Sequence, residues 1–213
     1  MNENQLREQI AEIGKLLYDR GLAHGSAGNV SAKLPDGSYL LTPTNSCLGR
    51  LDPEKISRLD GNGKLLSGDA PSKESFLHLA MYQERASSGA VVHLHSLHAV
   101  AVSCLADINP SDVFPPITAY AIMQLGKLAL VPYYPPGDQS LAEAVRKLAV
   151  KHHAVLLANH GPVVSGTSLE AAVYAAEELE ETARLFLLLQ GRNYRVLDEA
   201  QICELKGAFK LDS

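Results

Sequence analysis

The chain of 213 residues has only three cysteines, Cys47, Cys104 and Cys203, scattered, odd in number and without a Cys-x-x-Cys pair. That scarcity argues against a disulfide framework and for a reducing compartment. There is no excess of basic charge either: the net charge is −5 and the isoelectric point about 5.9. Without a basic stripe, a nucleic-acid partner is not expected. An anionic small molecule remains open, since local backbone N–H groups and a metal ion can outweigh global charge. No run approaches the roughly 18 apolar residues of a membrane-crossing helix. The opening MNENQLREQIAEIGKLL is charged throughout and lacks the apolar stretch of a signal peptide. A cytoplasmic protein with no membrane partner is therefore expected. Internal repeats and low-complexity linkers are absent too, which predicts one domain over residues 1–213.

What is present is a composition fit for a full core, 46% hydrophobic and 20% charged. Leu6, Ile10, Ile13, Leu16 and Leu17 recur at helical spacing and predict a helix over 3–20, with Gly21 beyond it as a cap. Pro35-Asp36-Gly37 marks a hairpin turn, and a further loop covers Thr42–Gly49. Turns follow at 60–63 and 67–69. A helix is predicted from Pro71-Ser72 to about Arg85, with Phe76, Leu77, Ala80 and Met81 facing inward. Ala90–His95 reads as a buried strand, and His98–Leu105 as the start of another helix. Helical periodicity returns at 140–151 and at 168–190, the latter with Thr167 and Glu170 as a capping box. Between them AVLLANHGPVVSG reads as two short strands around a His-Gly-Pro corner. Strands separated by both hairpins and helices predict an α/β domain whose mixed or antiparallel sheet is covered by helices.

Chemistry concentrates in VVHLHSLH, residues 91–98. Side chains at i and i+2 of a strand share a face, so His93 and His95 stand as two ligands of one metal ion or as two hydrogen-bonded core histidines. His160, in an Asn-His-Gly-Pro corner, supplies a third imidazole and favours a metal set with an open position. His98 is expected behind the ligands or in the core. His24, His78, His152 and His153 are taken as ordinary, the last two solvated at a helix end. Glu74 in PSKES is either a base or a carboxylate complementing a helix start. Ser72 and Lys73 beside it, Asn29 in GSAGNVS and Thr44-Asn45 in TPTNS are small, polar, loop-placed residues suited to a phosphate.

In this order GNVS, TPTNS, PSKE, HLH, Tyr120 and NHG resemble the class II aldolase/adducin family over about residues 5–195, nearly the whole chain. The resemblance implies a three-layer α/β/α domain with a central, mostly antiparallel sheet, assembled as a homotetramer. It implies a divalent metal, commonly zinc with manganese, cobalt or iron as alternatives, on His93, His95 and His160. It further implies Glu74 as acid/base, Asn29, Thr44, Asn45 and Ser72 around a substrate phosphate, and Tyr120, six residues before Gly126, contributed by a neighbouring subunit. Two departures stand out: Asn45 where the aldolases carry glycine, and Lys73 where they carry serine. A lysine beside the base suits a substrate with a second anion such as a carboxylate, unless it merely points to solvent. NSCLGRLDPEKISRLD followed by PSKE resembles the 3-oxo-tetronate 4-phosphate decarboxylase branch of the family. The alternatives on the same scaffold are a sugar-phosphate aldolase, a pentulose-phosphate epimerase or dehydratase, and a non-catalytic assembly module.

Overall fold

In the computed structural model, which describes residues 2–135 and 137–211, the chain opens with α1 (Glu3–Asp19), β1 (Asn29–Lys33) and β2 (Tyr39–Leu41). Met1, Pro136, Asp212 and Ser213 of the expected 1–213 unit lie outside the described residues. Next come β3 (Ser57–Leu59), β4 (Leu65–Ser67), α2 (Ser75–Glu84), β5 (Ala90–His93) and α3 (Leu97–Ser103). The second half holds α4 (Ala119–Leu125), β6 (Ala129–Val131), α5 (Ser140–Ala149), β7 (Ala154–Leu157) and β8 (Gly161–Gly166). α6 (Leu169–Leu189) and α7 (Glu199–Phe209) complete it.

The strands form one eight-stranded sheet in the order β4-β3-β2-β1-β5-β8-β7-β6. Every described pairing is antiparallel except that of β6 with β7. Successive residues along β2, β5, β7 and β8 enter different cores. Val30, Leu40, Val92, Leu156 and Val164 pack with residues of α1, α3 and α6 on one face. Tyr39, Leu41, Val91, Val155 and Val163 pack with residues of α2 and α5 on the other. This is the period-2 alternation of a sheet covered on both sides, and the architecture is the expected three-layer α/β/α fold.

Several expected boundaries move for local reasons. The helix predicted from Pro71-Ser72 starts only at Ser75, because the preceding segment is held extended against the loop after β2. Thr44 N–H donates to the Ala70 carbonyl (2.9 Å), Ser72 N–H to the Thr42 carbonyl (3.2 Å), and Pro43 pairs with Pro71. The cap of α6 is Ser168, whose side chain accepts from Ala171 N–H, not Thr167 with Glu170. β3, β4, α4, β6 and α7 were not foreseen; the three strands are only three residues long and owe their extension to their neighbours. Leu16, placed in the apolar stripe of α1, is instead 38% exposed.

Antiparallel pairing gathers the site at one end of the sheet. Asn29 opens β1 directly opposite His93, the last residue of β5, and His93 faces Val163 of β8 on its other side. The corner joining β7 to β8, with His160, reaches the same end.

Candidate active site

His93 is fully buried on the α2 face of β5, and its Nδ1 donates to the carbonyl of Pro162 at 2.8 Å. That bond places the proton on Nδ1 and leaves the Nε2 lone pair bare, as a metal ligand requires. His95 lies two residues beyond, outside the strand that was expected to run through it, yet its Nε2 stands 3.2 Å from that of His93. His160 Nε2 is 3.0 Å from His95 Nε2. Its position depends on Gly161, where a Cβ would lie 2.3 Å from the Leu94 carbonyl oxygen. The three rings meet edge to face, with centroids 5.0, 4.9 and 4.7 Å apart.

Glu74 closes the group, Oε1 at 3.1 Å from His160 Nε2 and Oε2 at 3.3 Å from His93 Nε2. Its position at the head of α2 matches the helix-start alternative, but the carboxylate makes no capping bond and is turned to the imidazoles. One donor atom from each of Glu74, His93, His95 and His160 falls within 4.8 Å of all the others. Ligands about 2.1 Å from a tetrahedral ion sit about 3.4 Å from one another, so contacts of 3.0 to 3.3 Å fit a divalent metal closely. Burial alone would raise the Glu74 carboxyl. The adjacent His93 and His160 rings and the Asn29 amide outweigh it and hold the group far below the usual carboxylate range. His95 is pushed down to about 4, chiefly by burial and further by the neighbouring His93 and His160, so its ring is neutral at pH 7.

Among the other sequence-predicted residues, Asn29 joins the cluster through Glu74: Nδ2 donates to Oε2 at 2.7 Å, and Oδ1 faces His78. Ser72 is buried, and its Oγ accepts from Glu74 N–H at 3.3 Å. Thr44 and Asn45 lie across the Pro43–Pro71 pairing from it. Asn45 has φ 56°, a left-handed conformation in which asparagine stands in for glycine, which accounts for that departure from the aldolase pattern. Lys73 is exposed and forms no ion pair among the described residues. Tyr120, 66% exposed on α4, is not part of the cluster.

The histidines taken as ordinary divide. His78 is fully buried and bonded to Asn29 and to Ser31 Oγ (2.7 Å), which in turn contacts Tyr82 Oη at 2.8 Å. The overlooked signal was spacing: 74, 78 and 82 fall on one helix face, opposite Asn29 and Ser31. His152 and His153 are not simply solvated, for their Nδ1 atoms bond the carbonyls of Lys127 (2.7 Å) and Ser165 (3.2 Å). His98 bonds Glu180 at 2.8 Å, and that buried carboxylate also accepts the His98 and Ala99 N–H groups at the start of α3.

Three imidazoles and a carboxylate around one point, at the end of an antiparallel sheet, are the makings of a divalent-metal enzyme site. The chain belongs to the class II aldolase and adducin family, whose N-terminal domain model matches residues 8–187. It is 50% identical over 204 residues to the 3-oxo-tetronate 4-phosphate decarboxylase of Escherichia coli (strain K12), covering 96% of each. To the L-fuculose phosphate aldolase of the same strain it is 38% identical, over 88% of this chain and 85% of that one. Its fold superposes on the crystal structure of YgbL from Escherichia coli, a protein described as an aldolase, epimerase or decarboxylase. The TM-score there is 0.94 at 48% identity, over 96% of this chain and 99% of the other.

Proposed function

We propose that this protein is a metal-dependent decarboxylase that converts 3-oxo-tetronate 4-phosphate to dihydroxyacetone phosphate and CO2. The observation that carries the reading is the convergence of His93, His95, His160 and Glu74 in a chain similar nearly end to end to a decarboxylase of that substrate. The three imidazoles hold a divalent ion, zinc by preference for such a set, with manganese, cobalt or iron as alternatives. When bound, the ion supplies Lewis acidity to the electron pair left as CO2 departs. Thr44, Asn45 and Ser72 receive the phosphate. Asn29 gives one amide N–H to Glu74 and keeps the other for a substrate oxygen. Lys73, exposed beside the base, orients the carboxylate that is lost. The bond between that carboxylate and the adjacent carbon breaks, its electrons stay on the carbon, and a proton taken up from solvent is passed to that carbon through Glu74 or Tyr120. Tyr120 acts from a neighbouring subunit in a homotetramer with sites at the subunit interfaces, in the cytoplasm.

The test is product analysis with metal-loaded enzyme and 3-oxo-tetronate 4-phosphate, corrected for spontaneous loss of CO2. Enzyme-dependent dihydroxyacetone phosphate is expected, with Lys73→Ala lowering kcat/KM about 10-fold, the scale of one charge-assisted contact. No acceleration would sink the decarboxylase reading, and an unchanged Lys73→Ala the role of that lysine. The second reading, an aldolase, draws on the 38% identity to L-fuculose phosphate aldolase. It predicts release of an aldehyde from a sugar phosphate in the same assay.

A further inference from the structure

Two rows of polar side chains interlock behind the site. α2 and the residue that caps it carry Glu74, His78 and Tyr82 at intervals of four, and β1 carries Asn29 and Ser31 at an interval of two. A step of four along a helix and of two along a strand each advance about 6 to 7 Å. The rows therefore stay in step, and a continuous chain results: Tyr82 to Ser31 (2.8 Å), Ser31 to His78 (2.7 Å), His78 to Asn29, and Asn29 to Glu74 (2.7 Å). Ser31 and His78 are wholly buried, Asn29 and Tyr82 nearly so.

Donor and acceptor rules allow this chain one direction. An ionised Glu74 only accepts, so Asn29 must present its NH2 group there and its oxygen to His78. That oxygen only accepts, so His78 must carry its hydrogen on Nε2. In a neutral ring Nδ1 is then a bare acceptor, so the Ser31 hydroxyl donates to it and takes a hydrogen from Tyr82. Burial lowers His78 to about 3 and raises the Tyr82 phenol. Both groups stay neutral across the working range.

We propose that His78 is a positioning residue whose Nε2–H tautomer orients the Asn29 amide and, through it, aims the Glu74 carboxylate at the reacting carbon. The proposal rests on Glu74 being the proton-transfer group described above. A histidine that merely filled the core would leave the direction of Asn29 unspecified and would act independently of it.

Neutron diffraction from metal-loaded wild-type crystals is expected to show deuterium on His78 Nε2 and none on Nδ1; deuterium on Nδ1 overturns the proposal. In turnover of 3-oxo-tetronate 4-phosphate, His78→Leu is expected to lower kcat about 10- to 100-fold, with a smaller change in KM and unchanged metal content. The double variant His78→Leu/Asn29→Ala is expected to lose no more kcat than the worse single one, because both break one link. Additive losses, or a loss carried by KM or by metal, overturn it. His78→Gln keeps a side-chain N–H toward Asn29 and is expected to retain more kcat than His78→Leu; equal losses count against the proposal. If His78→Leu fails to fold, the deuterium positions and His78→Gln decide. A wild-type enzyme inert toward this substrate would sink the decarboxylase reading and leave the deuterium positions to judge His78.

Discussion

At the scale of single residues, the cluster brings four donor atoms close enough together to share one cation. His93 keeps its Nε2 bare through the Pro162 carbonyl, and three further donor atoms point at the same small volume. Burial holds His95 neutral, so its lone pair is ready without a proton having to leave first. Replacing His93 by alanine is expected to drop bound metal well below one per subunit and activity by at least about 100-fold. Elemental analysis and turnover, with circular dichroism to check folding, measure this. Stoichiometric metal in His93→Ala would show that the ion sits elsewhere.

At the scale of elements, loop conformation matters more than helix propensity. The loop after β2 turns through Asn45 in a left-handed conformation and lies against the segment leading into α2. A β-branched side chain there meets the steric penalty of that region, so Asn45→Val is expected to lose about 1–2 kcal/mol of stability. Asn45→Gly is expected to lose none. Urea denaturation of both variants checks the pair, and equal midpoints would refute the conformational account. The α6 cap also acts locally: Ser168→Ala removes the bond to Ala171 N–H and is expected to cost about 1 kcal/mol in the same assay.

For the molecule as a whole, acid is expected to weaken the metal-free fold. His78 and His95 lie at about 3 and about 4, against 6.5 for an ordinary histidine. Between those values the unfolded chain binds more protons than the folded one, so stability falls as pH drops from about 6.5 toward about 4. Bound metal competes with the same protons and should be released in the same direction. A denaturation midpoint flat from pH 7 to pH 5 would contradict this. Assembly gives the other whole-molecule prediction. If Tyr120 serves a neighbour's site, mixing subunits of Tyr120→Phe with subunits of His93→Ala should restore about a quarter of the activity, as random pairing in a closed symmetric oligomer requires. Mixtures as inactive as their parents would overturn the assignment of Tyr120 to a neighbour's site. No described helix is long and apolar enough to cross a membrane.

Much of this protein was legible in one dimension, because periodicity and residue type are properties of the chain itself. The spacing of Leu6, Ile10, Ile13 and Leu17 marked α1, and the longest helix, the His-x-His pair and the Asn-His-Gly-Pro corner stood out in the same way. The three-layer fold, and the four residues that cluster at the end of the sheet, followed from the ordered motifs. Which partners those residues take was decided only by tertiary structure. The three-residue strands β3, β4 and β6 exist because a neighbour pairs with them, not because their own residues prefer extension. His78 and His153 looked alike in sequence, yet the register of α2 against β1 drew one into the hydrogen-bond chain behind Glu74 and left the other on a backbone carbonyl. A local pattern states which face a side chain occupies, whereas the atom it meets belongs to a segment far away in the chain and is fixed only when the layers pack.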